Sequence, residues 1–129
     1  MSCPRILLCD DSNVILRLLE KRLTDAAYDI VGKARDGIEC LELYLATKPN
    51  LVLLDITMPN MDGRACLTDL VKMDPKARVI MISAVMDSVV QASCITDGAM
   101  AFINKSDLQS PNIFKDKVLP VIEKFAKAV

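Results

Sequence analysis

Four short stretches of this chain place reactive side chains directly after apolar runs: Asp10-Asp11, Asp55 with Thr57, Ser83-Ala84 and Asn104-Lys105. Asp55 stands out, because Leu51 to Leu54 lead straight into it. A buried carboxylate is costly unless it is paired, metal-bound or used. Three carboxylates held close together also repel and raise one another's pKa. A hard divalent cation relieves that repulsion, and an all-oxygen set selects Mg²⁺ over zinc. Mg²⁺ usually binds through one or two carboxylates plus a phosphate, keeping several waters. Lys105 would balance the remaining charge and hold a phosphate oxygen. A carboxylate flanked by cation and ammonium can act as a nucleophile on phosphorus. The transfer then asks mainly for positioning and charge neutralisation.

Other chemistries are excluded by composition. Histidine is absent from all 129 residues. That removes histidine acid–base catalysis, histidine-based triads and histidine metal sites, and it means the chain is not itself the histidine partner of a phosphotransfer. The formal net charge of −1 offers no electrostatic case for nucleic acid or an anionic membrane as partner. No apolar run approaches the roughly 20 residues that span a bilayer. The opening MSCPRILLCDDS turns acidic too early for a signal peptide. The five cysteines, Cys3, Cys9, Cys40, Cys66 and Cys94, are odd in number and lack metal-type spacing. They read as small hydrophobes of a reducing, cytoplasmic compartment.

The elements that must carry these residues alternate along the chain. Strand-length apolar runs occupy Arg5 to Cys9, Asp29 to Ala34, Leu51 to Leu54, Arg78 to Ile82 and Ala99 to Ile103. Helical periodicity separates them. Ile15, Leu18, Leu19, Leu23 and Ala26 share one face after a Ser12 cap, and Ile38, Leu41 and Leu45 mark a second helix ending before Lys48-Pro49. Cys66, Leu67, Leu70 and Val71 mark a third, closed by Asp74-Pro75. A fourth runs from an Asp87 or Ser88 cap to a Gly98 stop. The last covers Ile113 to Val129, where Pro120 must either kink the helix or mark a late start.

Strands buried on both faces and separated by helices imply a parallel sheet covered on each side. Five βα units in this length suit one α/β domain over 1–129, a doubly wound (βα)5 flavodoxin-like fold with a five-stranded parallel sheet. Function in such sheets gathers at the carboxyl ends of the strands. Asp10, Asp11, Asp55, Ser83 and Lys105 are therefore expected to converge on one edge.

Taken together, Asp10-Asp11, the run KARDGIECLELYLATKPNLVLLDITMPNMDG, Ser83-Ala84 and Phe102-x-x-Lys105 resemble the response-regulator receiver domain of two-component signalling. The resemblance covers essentially the whole chain, leaves no room for an output domain, and is strongest to the stand-alone, chemotaxis-type receivers. It implies strand order 2-1-3-4-5 and a phosphoacceptor role for Asp55, served by a histidine kinase or phosphotransfer protein. It implies that Asp10, Asp11, Asp55 and the main-chain carbonyl of Thr57 hold Mg²⁺. Ser83 is then the switch hydroxyl, Phe102 the aromatic switch and Lys105 the phosphate-binding lysine. The surface of the fourth helix, fifth strand and fifth helix is the implied output face. The protein would be a monomer or a phosphorylation-dependent dimer, and a signalling protein rather than an enzyme.

Several positions depart from the family's commonest pattern. The residue after the lysine is often a proline, frequently in a cis bond; here it is Ser106, so a looser loop is expected. The switch aromatic is Phe rather than Tyr. Positions that help set phosphoryl lifetime carry Thr57 and Val85, neither of which can orient an attacking water. Slow turnover follows. Three other functions fit the residues less well. An aspartate-nucleophile phosphatase of haloacid-dehalogenase type would place its second Asp where Thr57 stands. A flavin carrier would need a phosphate-cradling loop in place of DDSN. A pseudo-receiver usually lacks an acid or the lysine, and this chain has them all.

Overall fold

Five runs pair side by side as parallel strands, and the three central ones bury both faces of the pleat. In the computed structural model, which describes residues 3–126, these are β1 (Arg5–Cys9), β2 (Asp29–Ala34), β3 (Leu51–Asp55), β4 (Val79–Ser83) and β5 (Ala101–Asn104). Their order is β2-β1-β3-β4-β5, all parallel. The helices between them are α1 (Asn13–Asp25), α2 (Gly37–Thr47), α3 (Gly63–Met73) and α4 (Ser88–Thr96). The strand's two-residue period divides the core between the two sides of the sheet. Ile6, Leu8, Leu51, Leu53, Ile80 and Ile82 face α1 and the C-terminal helix. Leu7, Cys9, Val52, Leu54, Val79 and Met81 face α2 and α3. Among the described residues, no helix is long and apolar enough to cross a membrane.

The caps follow the sequence closely. Ser12, Asp36, Asp62 and Asp87 each accept a backbone N–H in the first turn of the following helix, satisfying donors that a helix start leaves free. Gly98, with φ of +117°, takes the left-handed turn after α4 that a side chain resists.

Three expectations need correction. On α2 the buried face is Gly37, Cys40 and Tyr44, whereas Ile38 and Leu45 are 50% and 62% exposed. Gly37 packs against Met61, and the Tyr44 hydroxyl donates to Asp74 Oδ2 at 2.8 Å. Close backbone approach and a polar anchor thus turn the helix away from its most apolar stripe. The strand expected over Ala99 to Ile103 begins at Ala101, because the Ala99 N–H still bonds back to the Cys94 carbonyl of α4 and Met100 makes only the first bond toward β4.

The final helix, expected from Ile113, starts earlier. α5 (Pro111–Ile113) begins on a Ser110 cap with Pro111 in the first turn, where its missing N–H costs nothing. A π-helical segment, Phe114–Val118, then leads into α6 (Leu119–Ala126). Of the two expected readings of Pro120, a kink or a late start, the late start is ruled out, because helix already runs from Pro111. The Leu119 N–H reaches the Phe114 carbonyl, one residue further back than in an α-helix, and the widened turn accommodates the proline ring. The last three residues assigned to that helix lie outside the described residues.

Four cysteines, Cys9, Cys40, Cys66 and Cys94, are buried and reduced, and Cys3 is exposed. Cys9, Cys40 and Cys66 meet in the core, and burial pushes the Cys9 thiol up. Such thiols behave as packing groups rather than nucleophiles.

Candidate functional site

Asp10 follows β1 immediately, Asp55 closes β3, Ser83 closes β4, and Lys105 follows β5. Because β1, β3, β4 and β5 are parallel neighbours in register, these four side chains arrive at one edge of the sheet. Asp11 begins the loop into α1 and is exposed, whereas Asp10 and Asp55 are 0% and 3% exposed. Carboxylate oxygens of Asp10, Asp11 and Asp55 lie within 4.8 Å of one another. Lys105 Nζ sits between two of them, 3.0 Å from Asp10 Oδ2 and 3.1 Å from Asp55 Oδ2.

The electrostatics follow from that packing. Burial, reinforced by the charge of Asp10, pushes the Asp55 carboxyl up to about 6 despite the lysine beside it. Burial alone would lower the Lys105 ammonium's pKa, but its close ion pairs with Asp10 and Asp55 outweigh this and raise it. Three carboxylates against one ammonium leave two negative charges when all are ionised. Asp10 Oδ1 accepts the Ser12 N–H, but Oδ2 is fully buried and, although close to the ammonium, accepts no aligned hydrogen bond. A buried carboxylate oxygen with spare lone pairs, in an all-oxygen cluster of net charge −2, fits a hard divalent cation.

Above the acids opens a cleft of about 480 Å³ lined by Asp11, Asp55, Thr57, Ser83, Val85 and Lys105 among others. Thr57 is exposed at its wall, and its backbone N–H approaches Asp55 Oδ1 at 3.4 Å. Val85 stands 72% exposed at the rim. Ser83 Oγ is turned toward its own loop, donating to the Val85 carbonyl at 2.6 Å and accepting the Val85 N–H at 3.0 Å. Phe102 is half-buried and packs on the α2–α3 side of the sheet, set back from the cleft. Seven of the eight residues singled out by sequence therefore gather around one cleft, and Phe102 lies behind it.

Two further residues shape the site, Gly63 and Asn104, neither of which the sequence reading assigns a role. The Gly63 N–H donates to the Ile56 carbonyl at 2.7 Å, folding the Met58–Asp62 loop back so that α3 starts against the Asp55 backbone. Asn104 accepts the Ser106 N–H at 3.0 Å and opens a 3₁₀ turn over Lys105–Leu108. The loop after Lys105 is thus tied rather than loose, and its peptide bond is trans. An Asn two residues before a Ser is a turn signal legible in the sequence. The Gly63 contact left no such local mark.

The comparisons agree with this geometry. Residues 6–114 match the response regulator receiver domain family. The chain is 35% identical over 123 residues to the chemotaxis protein CheY of Listeria monocytogenes, covering 95% of this chain and 98% of that protein. It is 37% identical over 101 residues to the chemotaxis protein CheY of Thermotoga maritima, covering 78% of this chain and 84% of that protein. Among solved structures it is similar to a chain in the CheX-CheY-BeF3-Mg complex from Borrelia burgdorferi. That match has a TM-score of 0.83 and 34% identity, over 95% of this chain and 90% of that one. An acid cluster at the carboxyl edge of a 2-1-3-4-5 sheet, with a family match over most of its length, places this chain among the response-regulator receiver domains of two-component signalling.

Proposed function

We propose that this chain is a single-domain response regulator, one receiver over 1–129, that accepts a phosphoryl group on Asp55 from a histidine kinase or phosphotransfer protein. The observation that carries the reading is the Lys105 ammonium bridging two buried carboxylates at the floor of an open cleft. Asp10, Asp11 and Asp55, with the Thr57 carbonyl, would hold Mg²⁺, whose charge neutralises the carboxylates and the incoming phosphoryl oxygens.

The chain's own residues do the rest. Asp55 Oδ attacks phosphorus from the end of a rigid central strand as the donor's phosphorus–nitrogen bond breaks and its imidazole leaves, so little reorganisation is needed. Lys105 moves from carboxylate toward phosphoryl oxygen, keeping one ion pair with Asp10. Ser83 Oγ can donate to the phosphoryl group only by giving up the hydrogen bond it donates to the Val85 carbonyl. That release frees the loop leading into α4. Phe102, half-buried on the α2–α3 side of the sheet, would then shift and carry the change to the surface of α4, β5 and the C-terminal helix. That face would meet the downstream target. The activity is that of a phosphoacceptor in the cytoplasm, with no turnover of external substrate.

Acetyl phosphate with Mg²⁺ should add one phosphoryl group to the parent protein, read by intact mass, and none to Asp55→Ala. Labelling of Asp55→Ala to the parental level would overturn the assignment. Lifetime is the second expectation. Thr57 and Val85 offer no carboxylate or amide to orient a water at the cleft, so the phosphorylated protein should persist well beyond seconds. Thr57→Asn combined with Val85→Glu should shorten its half-life by about tenfold or more, measured by loss of the mass adduct.

A further inference from the structure

Lys105 is the reactive residue whose side chain has the farthest to reach. Its ammonium sits on a flexible four-carbon stem, so its aim depends on how firmly its own backbone is held. Both ends of its turn are tied by side chains. At the start, Asn104 Oδ1 accepts from the Ser106 N–H and from Ser106 Oγ, each at 3.0 Å. This closes an Asx-turn around Lys105 itself. At the end, α1 reaches across: Arg22 Nε donates to the Leu108 carbonyl and Nη2 to the Gln109 carbonyl, both at 2.8 Å. The Arg22 guanidinium also lies 5.8 Å from the Phe114 ring. Asn104 is paired with Ser83 across the β4–β5 ladder, so its backbone is fixed by the same sheet edge that carries the acids. Its side chain does not line the acceptor cleft.

We propose that Asn104 is a positioning residue for Lys105. By folding the Lys105-Ser106 peptide into the turn, it supplies the constraint that a proline after the lysine supplies in many receivers. Its carbonyl oxygen spends both acceptor directions on Ser106, so the lysine emerges from the turn with its stem directed over Asp10 and Asp55. The inference rests on the reading of Lys105 as the phosphoryl-binding ammonium, and the two can be separated.

The test uses the purified full chain with beryllofluoride as phosphoryl mimic, its affinity measured calorimetrically in saturating Mg²⁺, and Mg²⁺ affinity measured alone. Asn104→Ala should weaken beryllofluoride binding and raise the KM for acetyl phosphate by about tenfold. Mg²⁺ affinity should stay within about twofold, because the carboxylates are untouched. Asn104→Ser, whose hydroxyl can still accept the Ser106 N–H, should recover most of the loss. In a Lys105→Ala background, Asn104→Ala should add less than about twofold, because it acts through the lysine. An unchanged Asn104→Ala beside an impaired Lys105→Ala would overturn the proposal and leave the lysine's role standing. An equal loss in both backgrounds would also overturn it, marking a general structural effect. An unimpaired Lys105→Ala would overturn the lysine's role, and this proposal with it.

Discussion

Asp55→Asn is expected to be more stable than the parent protein by about 2 kcal/mol at pH 7 in metal-free buffer. Burial and the neighbouring Asp10 hold the Asp55 carboxyl at about 6, against 3.8 for a free side chain. The folded protein therefore binds this proton more tightly than the unfolded chain does. Its contribution to stability is greatest below about pH 4 and falls as pH rises to about 6, with the full cost in place at neutrality. Asparagine keeps the shape and carries no charge, so it escapes that cost. The gap between variant and parent should open between pH 4 and 6 and stay flat above, in urea titrations with EDTA present. Adding Mg²⁺ should narrow it, because the ion binds the ionised parent more tightly. A variant less stable than the parent at pH 7 would mean that the Lys105–Asp55 ion pair outweighs desolvation. Stability given up at one carboxylate is what leaves that group ready to react.

Gly63→Ala should be among the most damaging single substitutions away from the reacting atoms. A Cβ there would lie 2.8 Å from both the Asp55 carbonyl carbon and the Ile56 Cα, and closer still to the Asp55 oxygen. Both neighbours are backbone, one of them the end of a central strand, so neither can turn aside. We expect a loss of about 2–4 kcal/mol and at least a tenfold or so slower phosphorylation by acetyl phosphate, although no reactive group is removed. Gly32→Ala makes the control: its Cβ would meet the flexible ends of Leu7 and Leu43, at 3.0 and 3.4 Å, and should cost about 1 kcal/mol or less. If the two variants melt alike, the close approach at Gly63 does not hold Asp55 in place.

Much of the site is legible in the sequence because parallel sheets deliver strand ends to one edge. Once β1, β3, β4 and β5 were recognised from their apolar runs, Asp10, Asp55, Ser83 and Lys105 had to meet. What escaped were residues whose role depends on partners distant in sequence. The most apolar stripe of α2 faces outward because Gly37 must meet Met61 and Tyr44 must reach Asp74, contacts that a hydrophobic count along one helix cannot register. The start of the C-terminal helix was missed although Ser110-Pro111 is a local capping signal, since the apolar periodicity only begins at Ile113. Pro120 is held inside the helix by a widened turn that periodicity does not encode.

The sequence by itself determined the element order, the parallel sheet, the family and which polar side chains meet at one sheet edge, because these follow from local pattern and residue type. Only the tertiary structure decided their state: the lysine shared between Asp10 and Asp55, the buried Asp10 oxygen that accepts no aligned hydrogen bond, the Ser83 hydroxyl engaged with its own loop, and the packing of Gly63 on the Asp55 backbone. Each of these is a distance of a few ångströms between groups brought together from different parts of the chain. Charge and packing energies change steeply over such distances, while sequence spacing does not record them.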